Sequence, residues 1–137
     1  MRKINLSNNQ FYAITWIICS VILFYIGKDR LINAHLWAED GKFFLEYALL
    51  YGYSAILQEY SGYYHILPHI FVQIFANTLP IYFIPNAICI VAYLIYAAIV
   101  AQLIRSEYRT YSASDLARFV IALMFCLWIS GRQEILG

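Results

Sequence analysis

Tyr60–Ile104 reads YSGYYHILPHIFVQIFANTLPIYFIPNAICIVAYLIYAAIVAQLI, 45 consecutive residues without a Lys, Arg, Asp or Glu. A helix that crosses a bilayer needs roughly 20 apolar residues. The stretch is too long for one crossing and close to the requirement for two. Its break belongs at Leu79-Pro80-Ile81-Tyr82-Phe83-Ile84-Pro85-Asn86, because each proline removes a backbone donor and disfavours helix in the residue before it. The pattern predicts spans near 64–79 and 85–104 with a chain reversal between them.

Working outward, Phe11–Ile26 is a further uncharged run behind a basic start, Arg2 and Lys3, and predicts a first span near 11–27. A cleaved signal peptide has the same outline. Ile26-Gly27-Lys28-Asp29 offers no small-x-small cleavage site, and Trp16-Ile17-Ile18-Cys19 lacks the small residue that precedes a lipoprotein cysteine. Downstream, Arg105–Asp115 is polar, and Ser112-Ala113-Ser114-Asp115 has the spacing of a capping box before a last apolar run. That run predicts a span near 116–130. The expected fold class is all-α: one polytopic transmembrane domain over residues 1–137, about four spans, with an external loop at 27–62.

Composition agrees. Apolar residues make up 63% of the chain and charged ones 12%, against about one quarter charged in soluble domains. The 13 tyrosines suit a headgroup-level belt. A net charge of +1 gives no field to gather nucleic acid. Cys19, Cys89 and Cys126 are dispersed through apolar segments and read as small buried hydrophobes. The bilayer of the cell inner (plasma) membrane is the expected surrounding, with the N-terminus held in the cytoplasm by Arg2 and Lys3. The same rule conflicts with Arg105, Arg109 and Arg118, which a four-span path leaves outside.

The external loop carries Lys28, Arg30 and Lys42 against Asp29, Glu39, Asp40, Glu46 and Glu59. Within it Phe43, Phe44, Tyr47, Leu50, Tyr51 and Ser54 recur at helical spacing, which predicts a helix lying flat in the interface, weakened at Gly52.

Several of these residues have two readings. Glu39 and Asp40 are adjacent and point in different directions, so one of them at most touches a given atom. A partly desolvated carboxylate at a membrane face serves as a general base or holds a divalent cation; the pair also serves as plain solvated charge. His65 and His69 share one helical face and suit a metal, a phosphate oxygen or interfacial hydrogen bonds. Lys28, Arg30 and Lys42 suit a lipid phosphate or ordinary anionic headgroups. Tyr60, Tyr63 and Tyr64 suit an aromatic belt or a platform for a sugar ring.

Trp37-Ala38-Glu39-Asp40-Gly41 with Phe44, then Tyr60-Ser61-Gly62-Tyr63 and His65-Ile66-Leu67-Pro68-His69, resembles the N-terminal part of bacterial multi-spanning proteins related to the GT-C-fold glycosyltransferases. The resemblance runs on to Glu134-Ile135-Leu136-Gly137. It implies transfer of a sugar from a polyprenyl-phosphate donor to a cell-envelope glycan or lipid acceptor. It also implies an acidic catalytic residue in the first external loop, a place that Asp40 matches with Glu39 beside it. Asp40 would then deprotonate the acceptor hydroxyl in an inverting reaction, while a divalent cation or His65, Arg30 or Lys42 meets the departing phosphate. His69 and Tyr63 complete the implied substrate-binding set. Such enzymes are several times longer, so the chain reads as the N-terminal piece of a larger protein.

Two other classes fit the bare sequence. One is a small non-enzymatic multi-spanning protein, flippase-like or an assembly subunit, which needs only helix packing. The other is a transporter fragment, which calls for an ionisable acid inside a span; no acid lies in the predicted spans.

Overall fold

The computed structural model describes residues 7–36, 40–112 and 114–130. They form α1 (Asn8–Ile26), α2 (Lys28–Ile32), a π-helix (Asp40–Leu45), α3 (Glu46–Tyr51), a 3₁₀ segment (Gly52–Leu57), β1 (Glu59–Tyr60), β2 (Tyr63–Tyr64), α4 (Ile66–Thr78), α5 (Ile84–Ala101) and α6 (Asp115–Ser130), with 3₁₀ turns at Ile81–Phe83, Gln102–Ile104 and Ser106–Thr110. The all-α expectation holds apart from the small hairpin. The chain divides into two compact units, one of residues up to Asp29 together with Val91 onward, the other of Arg30–Ile90.

Among the described residues, two helical stretches are long and apolar enough to cross a membrane: Asn8–Ile26, 19 residues, and Ile81–Ile104, 24 residues. At 1.5 Å per residue the first is about 28 Å long, close to a hydrocarbon core of about 30 Å. The expected span at 64–79 is a 13-residue helix, α4, of about 20 Å. Its first residues are taken by the hairpin. Tyr60-Ser61-Gly62-Tyr63 turns with positive φ at both Ser61 (54°) and Gly62 (81°), the geometry that pairs two strands most tightly. Tyr60 thereby faces Tyr63, and Glu59 faces Tyr64. The break after α4 stands where the prolines put it, with Leu79 and Pro80 extended.

In the first unit, α1 begins three residues earlier than expected. Ser7 accepts from the Gln10 backbone N–H while the Gln10 side chain accepts from the Ser7 N–H, a complete capping box. The residues α1 buries are Thr15, Cys19, Ser20 and Leu23, and it exposes Ile14, Ile17, Val21 and Tyr25. Apart from Leu23, the buried side is made of small and weakly polar groups and the exposed side of large apolar ones, the arrangement of helices that pack within lipid. Thr15 and Ser20 hydroxyls donate to the Phe11 and Trp16 carbonyls, 2.9 and 2.8 Å, so neither is left unpaired. Trp16 Nε1 donates to the Leu94 carbonyl at 3.0 Å, and Tyr12 to that of Ala98 at 3.4 Å, tying α1 to α5. Cys19 and Cys126 are fully buried where α1 packs along α6.

The start of α6 differs from expectation. Ser114, not Ser112, is its N-terminal acceptor, taking the Ala117 N–H at 3.2 Å. Ser112 instead offers its carbonyl to Arg118. Arg118 is buried and also pairs with Asp115, which Arg109 approaches at 3.7 Å.

The core of the second unit is Phe44, Leu45, Ala48, Val72 and Ile84, flanked by Leu36, Phe75, Ala76 and Ile88. The interfacial helix expected from Phe43 to Leu57 is helical throughout but in three forms. The π-helix changes the angular spacing of side chains, so the single 3.6-residue wheel drawn from sequence misplaces its faces. Phe44, Leu45, Ala48 and Ala55 are buried, whereas Leu50 and Tyr51, expected on the same face as Phe44, are exposed.

Candidate functional site

The residues singled out by chemistry lie mostly in the second unit. Asp40 opens the π-helix. Its side chain and the whole of Glu39 lie outside the described part of the structure. Four residues on, Phe44 turns into the core, and there the π-helix packs on α4. The ring of Phe44 meets His69 edge to face, with centroids 4.8 Å apart at 82°, and His65 at 5.7 Å and 61°. Helical spacing accounts for the pair: four residues separate His65 from His69, which brings both imidazoles to one side of α4. The element that starts at Asp40 and the helix that carries the histidines are therefore in direct contact.

His65 and His69 differ in surroundings. His65 precedes α4 and is half-buried, while His69 is 1% exposed. Among the described residues, neither ring nitrogen of His69 has a hydrogen-bond partner. The helix is too short to span, and burial within this unit, reinforced by neighbouring His65, holds the His69 pKa below the ordinary imidazole value. It is a neutral ring with one donor and one acceptor. One turn along α4, Gln73 is also buried, and its side-chain carbonyl has no partner among the described residues. Sequence reasoning missed Gln73. Its spacing from His69 was legible, but nothing marked it as buried.

The remaining candidates are peripheral. Arg30 sits in α2, half-buried, and Lys42 is exposed with its ammonium 5.7 Å from the Phe43 ring. Tyr63 is 71% exposed on β2. Beside it the Tyr64 hydroxyl bonds to Glu59 across the hairpin, and that carboxylate pushes the phenol above its usual range. Among the described residues, no three His, Cys, Asp or Glu side chains gather as a metal-binding set.

The same unit carries exposed apolar side chains. Leu49, Leu50, Tyr53, Leu57, Tyr64 and Leu67 are all exposed. The unit follows α1 directly and leads straight into the Ile81–Ile104 helix. Both chain ends of the unit thus run into helices fit to cross a bilayer.

Comparison with protein-family models, with curated proteins and with solved structures found no match for this chain.

Proposed function

We propose that this chain forms the membrane-embedded N-terminal portion of a glycosyltransferase, moving a sugar from a polyprenyl-phosphate donor to a cell-envelope glycan or lipid acceptor. The observation that supports this reading best is the seating of the π-helix that starts at Asp40 on α4 through Phe44, His65 and His69. π-Helical turns are uncommon and recur at functional sites. A polyprenyl-linked donor holds its phosphate at the headgroup plane, so a base acting on it must be carried by a segment held there. The exposed apolar residues of the second unit supply such a hold.

In this reading Asp40 takes the proton of the acceptor hydroxyl as the oxygen attacks the anomeric carbon. The bond from that carbon to the phosphate oxygen breaks on the opposite face, and the phosphate leaves with the electron pair. Arg30, Lys42 or His65, or a divalent cation, meets the charge that develops on the phosphate, and Tyr63 borders the sugar. Glu39 assists Asp40 in positioning. The topology proposed with it has the N-terminus in the cytoplasm, residues 27–62 outside, and α6 as a further span. The 13-residue α4 enters the bilayer without crossing it alone.

The test is made in the full-length protein. Asp40→Asn keeps shape and removes basicity, and it lowers sugar transfer about 10²- to 10⁴-fold. Glu107→Gln, at an exposed carboxylate of the other unit, leaves transfer unchanged. Equal activity of the two variants at matched membrane expression makes the acidic pair ordinary surface charge and favours a non-enzymatic multi-spanning protein.

A further inference from the structure

Two buried polar side chains of α4 have chemistry that the fold leaves unused. His69 is 1% and Gln73 3% exposed. Among the described residues, both ring nitrogens of His69 and the side-chain oxygen of Gln73 lack partners. Leaving such groups unmade typically costs about 1–3 kcal/mol each, so a sequence shaped only for packing would place apolar residues there. They sit one turn apart on the same helix, and Phe44 of the π-helix covers His69. We propose that His69 and Gln73 form a receiving pair for a hydroxyl group of a polyol ligand, a sugar ring above all, admitted when Phe44 and the π-helix move aside. The proposal rests on the glycosyl-transfer reading for the choice of a sugar and on the unpartnered pair for the rest.

The unmet groups select the ligand. The Gln73 oxygen needs a donor, and the neutral His69 ring has one donor and one acceptor to satisfy. A phosphodiester or carboxylate ion brings acceptors alone and gives Gln73 nothing. An ammonium brings donors and gives the His69 N–H nothing. A hydroxyl does both: it donates to the Gln73 oxygen while its own oxygen accepts from His69, and a neighbouring hydroxyl on the same ring can donate to the second imidazole nitrogen. The T-shaped contact of Phe44 with His69 shows why an apolar cover suits the empty state, since edge-to-face packing of two rings is favoured and a sugar ring's C–H surface can replace it.

The test uses the full chain in lipid nanodiscs with its three histidines labelled with ¹⁵N, His69 being assigned by comparison with His69→Phe. Methyl β-D-glucoside and glycerol are the hydroxyl probes, and methoxycyclohexane is a ring of similar size without a hydroxyl. Both hydroxyl probes shift the His69 ring nitrogens saturably, and methoxycyclohexane does not. Gln73→Leu weakens glucoside binding about tenfold, the loss expected for one hydrogen bond to a buried partner. Its melting temperature stays at or above that of the native chain, because an unpartnered amide is removed. Absence of a saturable shift, an equal shift with methoxycyclohexane, or undiminished binding in Gln73→Leu overturns the proposal. Asp40→Asn separates the two readings. Glucoside binding at His69 intact while Asp40→Asn shows no loss of sugar transfer against the native chain supports the pair and removes the Asp40-based glycosyltransferase reading, whereas Asp40-dependent transfer without binding at His69 removes the pair alone.

Discussion

Phe44 and His69 meet edge to face at 4.8 Å and 82°, and this contact joins the segment that begins at Asp40 to the helix that carries the histidines. It comes from two segments separated by a hairpin and a run of 3₁₀ helix, so it is a product of folding rather than of local sequence. Phe44→Leu keeps an apolar side chain but loses both imidazole contacts. We expect it to cost about 1–2 kcal/mol, from the ring contacts together with a small loss of packing. Phe43→Leu, at a less buried ring, costs less. Unfolding in mixed detergent, followed for both variants, checks the ranking.

Gly27 lies where the ring of Tyr93 passes. A Cβ there would stand 2.1 Å from the Tyr93 hydroxyl and 2.6 Å from the ring carbon that bears it. Tyr93 is buried and packs on Phe24, so the ring cannot simply swing into solvent. Gly27→Ala is expected to destabilise the first unit by about 1–3 kcal/mol through overpacking. The backbone at Gly27 has a φ of −86°, open to any residue, so the cost is one of space. Adding Tyr93→Phe, which shortens the side chain by its hydroxyl, should recover part of the loss in the same unfolding measurement.

Arg118 depends on Asp115. The guanidinium is 3% exposed and bonds to the Asp115 carboxylate and the Ser112 carbonyl, with Nε left over. Asp115→Ala leaves a buried cation without its counter-charge. The carboxylate is half exposed, so water screens part of the interaction, and we expect a loss on the order of 1–2 kcal/mol. Arg118→Met on the Asp115→Ala background should regain stability; a further large loss would show that the pair is not what holds α6 at its start.

Tyr64 should ionise above the usual phenol range. Its hydroxyl donates to Glu59, and the neighbouring negative charge disfavours the phenolate. The folded pKa is raised, so this contribution to the hairpin is present below pH 10 and is lost as pH rises through the folded value. Glu59→Gln removes the charge and should lower the Tyr64 pKa, as read from the ¹³C signal of its ring in an alkaline titration.

Much of this architecture was legible in residue pattern alone. The uncharged run from Tyr60 to Ile104 and the prolines at 80 and 85 locate the break between α4 and α5, because they act through chain geometry and hydropathy, which need no tertiary knowledge. The Ser7-to-Gln10 capping box and the Ser61-Gly62 turn carry local signals too, yet hydropathy alone starts the first span at Phe11 and predicts no hairpin at Tyr60–Tyr63. Other features were beyond local rules. The π-helix at Asp40–Leu45 shifts the phase of the helix after it, so Leu50 and Tyr51 turn outward where a regular wheel turns them in. The shortness of α4 comes from the hairpin's claim on Tyr63 and Tyr64. Gln73 gave no sign in sequence, since an isolated amide in an apolar helix gains meaning only when its burial and its unmet carbonyl are known.

If Asp40 acts as the base in an inverting sugar transfer, the configuration at the anomeric carbon of the product must record it. The full-length protein in membranes is given a polyprenyl-phosphate sugar of known configuration, and the glycosylated product is resolved by the coupling constant of its anomeric proton. Inversion is expected, with product formation lost in Asp40→Asn and kept in Glu107→Gln. Retention of configuration, or transfer that survives Asp40→Asn, contradicts the assignment of Asp40 as the base.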